Sequence, residues 1–247
     1  MTPVILKTIQ EYMISQYPNE GCGFVVNDVF IPVQNTSKTP EKEFLVSPED
    51  TVRYNDLCEM FVHSHPDWYN CPSKLDMSYQ QSSKKPWGIV STTSTACSGI
   101  QMFGAEVPTP DIMNRTFCHG VTDCCTLIND WGKINNRWIW EEVPRDWEWW
   151  LQEGVDLYQQ NFARVGFIIL DADDVKKNGP EVGDVFLAAI HSNKLNHGGV
   201  YLGNGLGLHH LTSKFPVDAT RVPKQEPLAR WSKYIHTWAR YTGEVKT

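Results

Sequence analysis

Phe61-Val62-His63-Ser64-His65-Pro66, followed by Ser73-Lys74-Leu75-Asp76, is the stretch that decides both fold and chemistry in the first part of this 247-residue chain. Side chains alternate along an extended chain, so His63 and His65 on one strand project from the same face and both imidazoles reach a single ion. Ser73 and Asp76 have the S-x-x-D spacing of a helix start, which predicts Asp76 in the first turn of a helix packed beside that strand. Two imidazoles and one carboxylate leave a coordination position open, the donor set of a catalytic zinc site. A His-x-His pair by itself is more often two surface histidines, and an aspartate at that spacing only a cap; their combination points to a metal.

Upstream, Pro18-Asn19-Glu20-Gly21-Cys22-Gly23-Phe24 supplies a glutamate. A glutamate in an E-x-C-G-F context, then H-S-H-P, six residues and S-x-x-D, resembles the signature of the JAMM/MPN+ metalloproteases with no departure at a functional position. The resemblance implies a cytidine-deaminase-like α/β domain in which His63, His65 and Asp76 bind Zn2+. It implies that Glu20 is the general base, taking a proton from the attacking water and returning it to the leaving amine. Ser73 would help to hold the developing oxyanion.

With 41% hydrophobic residues the chain has apolar material for one large or two ordinary cores. A net charge of −7, a pI near 5.6 and no block of Lys or Arg argue against nucleic acid and anionic membrane as partners. No run approaches the about 18 apolar residues that cross a bilayer, and the N-terminus lacks the layout of a signal peptide, so synthesis and folding in cytoplasm are expected. Seven cysteines, an odd number with Cys124 and Cys125 adjacent, do not resemble a disulfide framework and are expected to be reduced.

Residues 2–17 read as an amphipathic helix, and 21–26 with 29–33 as strands joined at Asn27-Asp28. A strand is expected at 44–46, a helix from Ser47 to about Glu59, a helix at 74–82, and strands at 87–91 and 99–103. The proline-bearing stretch 104–111 reads as a stiff linker. The expected organisation is a metalloprotease domain at 1–104, a linker at 105–112 and a second domain at 113–247.

The second chemical centre begins at Asp123-Cys124-Cys125-Thr126-Leu127-Ile128. Leu127, Ile128 and Trp131 recur at helical spacing, which puts Cys124 in the first turn of a helix, where the dipole favours a thiolate. Strands are expected at 182–190, 198–203 and 206–211, with His197 opening the second and His209 and His210 on the third. His197 and one of those two would face each other and Cys124 as base and orienting residue. An ion pair of thiolate and imidazolium would then give a bell-shaped pH profile.

The runs Asp123 to Ile128, Gly183-Asp184 and His197-Gly198-Gly199-Val200-Tyr201-Leu202-Gly203 resemble the NlpC-type cysteine peptidases, which cut peptidoglycan stem peptides. The resemblance implies a papain-like α+β domain with Cys124 as nucleophile, His197 as base and His209 as the residue that orients it. Cys125 stands where the family usually has serine, and the family's tyrosine upstream of the nucleophile is not evident. Taken singly, a buried cysteine and a strand-end histidine more often belong to a core. Trp138, Trp140, Trp147, Trp149 and Trp150 crowd 137–150 and suit a core or cleft wall better than a glycan platform. A helix is expected at 148–162, and 221–241 fits either a helix or a loop with a strand.

Two hydrolase modules in this order resemble the tail-tip assembly proteins of long-tailed phages. The resemblance implies a bifunctional peptidase that builds the tail tip with other tail-tip proteins, in host cytoplasm during assembly and at the virion tail tip if retained. Its second module would act on the periplasmic cell wall as a peptidoglycan endopeptidase. A structural component with one or both centres silent, and a deubiquitinase-like enzyme, are the competing classes.

Overall fold

The computed structural model describes residues 2–244, and the chain divides between Pro108 and Thr109 into two compact units. The first opens with α1 (Pro3–Gln16), capped by the Thr2 hydroxyl, which accepts from the Ile5 N–H. Its stripe of Ile5, Ile9 and Met13 is buried against Val25, Phe30, Met60, Val62 and Val90. These apolar residues belong to a five-stranded sheet of β1 (Cys22–Val26), β2 (Val29–Val33), β3 (Met60–Pro66), β4 (Pro86–Thr92) and β5 (Gln101–Gly104), in the order β2-β1-β3-β4-β5. β3 is the middle strand, antiparallel to β1 and parallel to β4. A parallel neighbour needs a crossover, and α3 (Lys74–Ser83) lies in it, after the shorter α2 (Pro48–Tyr54).

Two expectations in this unit fail for identifiable reasons. Residues 44–46 form no strand: the Asn35 carboxamide accepts the Leu45 N–H, Thr36 donates to the Leu45 carbonyl, and the Phe44 ring turns inward to within 4.8 Å of the His63 ring. α2 stops at Tyr54 and tightens into a 3-10 turn, Asn55–Leu57, because the Glu59 N–H is already committed to the Val25 carbonyl as β3 begins.

The second unit is built on a six-stranded sheet of β7 (Phe167–Ile169), β8 (Val185–Ala188), β9 (His197–Gly203), β10 (Leu206–His209), β12 (Lys224–Pro227) and β13 (Ile235–Tyr241). Its order is β12-β10-β9-β8-β13-β7. A separate pair joins β6 (Phe117–Cys118) to β11 (Val217–Asp218). α4 (Cys124–Ile134) lays Leu127, Ile128 and Trp131 onto this sheet in a core with Trp138, Trp149, Phe162 and Phe167. The helix expected at 148–162 is instead a 3-10 turn, Trp149–Leu151, and the short α5 (Leu157–Asn161). Between them Gly154 takes φ +71°, a conformation that ends a helix. α6 (Ala172–Asn178) precedes β8, and 221–241 is strand, turn and strand, with Ala239 of β13 fully buried inside the sheet.

Residues 105–112 contain neither helix nor strand. All seven cysteines are free thiols. Among the described residues no helix is long and apolar enough to cross a membrane.

Candidate functional site

The first centre is set by β3. Pairing of Cys22 with His63 brings Glu20, two residues further along the same face, opposite His65, and the ladder is continued by the Ser64 N–H donating to the Gly21 carbonyl at 2.9 Å. α3 closes the site. The Ser73 hydroxyl accepts from the Asp76 N–H at 3.1 Å, and the Asp76 carboxylate accepts from the Ser73 N–H at 2.8 Å and the Ser73 hydroxyl at 2.7 Å, a reciprocal capping box. Glu20, Ser73, His65 and Asp76 line one cleft of about 330 Å3 with Phe44 and Trp68.

The donors of His63, His65 and Asp76 fit a metal ion. His63 Nε2 and His65 Nε2 lie 3.1 Å apart, and the Asp76 oxygens lie 3.2 and 3.3 Å from them. Tetrahedral ligands held at about 2.0–2.1 Å are separated by about 3.3 Å, a spacing each of these contacts matches, with the carboxylate meeting His63 through Oδ1 and His65 through Oδ2. His65 Nδ1 donates to the Tyr69 carbonyl at 3.0 Å, which leaves the His65 Nε2 lone pair for an ion. Burial lowers His63, favouring the neutral ligand form. Burial also works against a charged Asp76, but His63 and His65 overcome it and hold the carboxyl well below its usual range. Glu20 is pushed up to about 7, by burial first, then by Asp76 and Glu43, with His65 opposing. The single hydroxyl proton of Ser73 is engaged by Asp76, so oxyanion stabilisation by Ser73 requires that bond to be exchanged.

The second centre lines a cleft of about 800 Å3 that contains Cys124, Tyr158, His197 and the walls Trp140, Trp147 and Trp150. Asp123 caps α4, accepting from the Cys125 and Thr126 N–H groups at 3.0 Å each, and so fixes Cys124 as the first helical residue. The capping carboxylate is itself gripped by the buried Arg145, whose Nη2 lies 2.9 and 2.8 Å from its two oxygens. Cys124 Sγ is 3.6 Å from the Tyr158 hydroxyl and is also faced by the Gly198 N–H, directly after His197.

His197 Nε2 lies 3.0 Å from His209 Nδ1. His209 opposes Gly199 across β9 and β10, and a Cβ at Gly199 would stand 2.8 Å from His209 Cβ and 2.4 Å from the Leu208 carbonyl; the missing side chain lets the two histidines meet. His210, next in the chain, turns away, with its ring 5.1 Å from that of Phe117 and Nε2 3.2 Å from the Arg221 carbonyl.

Burial, followed by the Asp123 charge, pushes the Cys124 thiol up to about 11, while burial and the neighbouring His209 hold His197 well below the usual histidine range. Both shifts favour a neutral thiol and a neutral imidazole over the expected thiolate–imidazolium pair.

Sequence reasoning missed Tyr158, Arg145 and Glu226. The phenol that reaches Cys124 comes from 34 residues after it rather than from before it, and Glu226 accepts from His209 at 2.8 Å across a strand pairing that no local pattern announces. An N-cap aspartate destined for burial was the one available signal for Arg145, since a buried carboxylate needs a cationic partner.

No protein-family model matches the chain. Two phage proteins, each named tail tip assembly protein K, are similar to it. That of Escherichia phage N15 is 30% identical over 213 residues, 83% of this chain and 84% of its own length. That of Escherichia phage lambda is 32% identical over 206 residues, 81% of this chain and 87% of its own. A solution structure of a protein from Desulfitobacterium hafniense overlaps 43% of this chain and 90% of that one at 18% identity and a TM-score of 0.33, too low to bear on the fold.

Proposed function

The chain belongs to the family of the phage tail tip assembly protein K, and we propose that it acts in tail-tip assembly as a protein with two peptidase centres. Its partners are then other tail proteins, and its setting is the phage tail. The first centre is a zinc-dependent peptidase or isopeptidase, and the second a thiol endopeptidase for peptidoglycan stem peptides.

One observation carries the reading: each unit holds a separate acid–base constellation backed by its own hydrogen-bond network. In the first, His63, His65 and Asp76 would hold Zn2+, which when bound polarises the scissile carbonyl and acidifies water. Tyr69 orients His65, Ser73 orients Asp76, and Glu20, opposite His65, takes a proton and returns it to the leaving amine. In the second, Cys124 attacks the scissile carbonyl as His197 takes the thiol proton, and His197 then returns that proton to the leaving amine. Water releases the acyl group from Cys124 with His197 again as base. The Tyr158 hydroxyl, 3.6 Å from the sulfur, and the α4 N-terminus, where Cys124 is the first helical residue, then stabilise negative charge that develops beside it.

The test is digestion of purified peptidoglycan by wild type, Glu20→Ala and Cys124→Ala, with products read by mass spectrometry and zinc measured on the same preparations. Wild type and Glu20→Ala should cut stem peptides, Cys124→Ala should lose at least about 1,000-fold in rate, and wild type should carry zinc. Equal cleavage by Cys124→Ala would refute the thiol centre, and zinc-free wild type grown with ample zinc would refute the metal centre.

A further inference from the structure

The hydrogen-bond chain behind Cys124 does not stop at the two histidines. His209 Nε2 continues to Glu226 Oε1 at 2.8 Å, and the Trp231 indole N–H donates to the same oxygen at 3.0 Å. The resemblance that points to His197 and His209 assigns nothing to Glu226.

The sheet register brings Glu226 there. β10 and β12 pair Gly207 with Glu226 and His209 with Lys224, so Glu226 and His209 are diagonal neighbours on one face. Gly207 offers no side chain between them. Trp231 covers the chain, with its ring 4.7 Å from that of His209 and 6.2 Å from that of His197, and leaves the Glu226 side chain 19% exposed.

We propose that Glu226 is a positioning residue of the thiol centre, which by accepting the Nε2 proton of His209 fixes the tautomers of both histidines and leaves His197 with a basic Nδ1 for Cys124. The logic follows from donor and acceptor inventories. A carboxylate only accepts, so His209 Nε2 carries the proton. Neutral His209 then has a bare Nδ1, which must accept from His197 at their 3.0 Å contact, so the His197 proton is on Nε2. Burial favours the neutral form of both rings, and neutral His197 is left with its lone pair on Nδ1. Without Glu226 the His209 proton is free to move to Nδ1; His197 must then accept at Nε2 and carry its own proton on Nδ1, the tautomer that cannot act as base.

The kinetic part of this proposal rests on the thiol-peptidase reading, but the tautomers are read without turnover. Nitrogen NMR of the imidazoles in the full-length protein, for wild type, Glu226→Ala and Glu226→Gln, is combined with mass-spectrometric timing of Cys124 alkylation by iodoacetamide across pH. Both wild-type histidines should be Nε2–H tautomers. Glu226→Ala should shift them toward Nδ1–H and slow Cys124 alkylation near neutral pH by about tenfold, a deficit that closes at alkaline pH where the thiol ionises without a base. Glu226→Gln retains an accepting oxygen and should restore both readouts, which a merely structural role would not predict. Unchanged tautomers in Glu226→Ala, or shifted tautomers with an unchanged alkylation profile, overturn the proposal. A wild type with the expected tautomers that fails to cut peptidoglycan counts against the peptidase reading and leaves the positioning role intact.

Discussion

Two effects compete at Cys124. The start of α4 favours a thiolate by about 0.3–1 kcal/mol. Burial and the Asp123 carboxylate oppose it, and a rise from 9.0 to about 11 is worth about 3 kcal/mol, so the thiol wins. The alkylation rate of Cys124 should therefore keep climbing with pH toward about 11 instead of levelling near neutrality. Tyr158→Phe removes the O–H within 3.6 Å of the sulfur while keeping the ring in the core, and should slow neutral-pH alkylation a further few-fold at little cost in stability. A plateau beginning near neutral pH would contradict this account. The position of Cys124 in the first turn was legible from Asp123 and the apolar spacing behind it. Its protonation state was not, because it depends on a carboxylate held ionised by Arg145, 22 residues away in the chain.

At the scale of elements, periodicity served where a segment's own residues decide its structure. The alternation around His63 and the S-x-x-D of α3 are local signals, and β3 and α3 formed at those residues. Residues 44–46 and 148–162 went otherwise because distant groups set their backbone, Asn35 in one case and the packing around Trp149 in the other. α4 contains a further tertiary constraint. Gly132 is a poor helix former, so alanine there should gain about 1 kcal/mol in propensity. A Cβ at that position would lie 2.0 Å from Trp138 Nε1, whose N–H donates to the Ile128 carbonyl at 3.1 Å. Overpacking of this kind costs about 1–3 kcal/mol, so Gly132→Ala should lower the denaturation midpoint. A raised midpoint would mean that Trp138 moves aside without loss.

Across the whole molecule, histidines held neutral by burial make stability depend on acid. His119, 3% exposed, is pushed down to about 4 by burial, whereas an unfolded histidine titrates near about 6.5. Between those values the unfolded chain binds the extra proton, so the stability is fully present above about pH 6.5 and is lost as pH falls toward about 4. His197, His209 and His210 act in the same direction, while His65, which Asp76 raises against its burial, acts in the opposite one. The urea midpoint of the second unit should fall between about pH 7 and about pH 5, and His119→Asn should flatten that fall. An unchanged slope in the variant would assign the acid sensitivity elsewhere. The indoles make the two units optically unequal: of ten tryptophans, only Trp68 and Trp87 precede Pro108. Eight emitters, several with ring centroids within about 6 Å of one another in tilted or edge-to-face pairs around α4 and the cleft, make intrinsic fluorescence chiefly a signal of the second unit. Trp87, whose ring lies 5.7 Å from that of His63, is the natural quenching probe for events at the histidine–aspartate cluster.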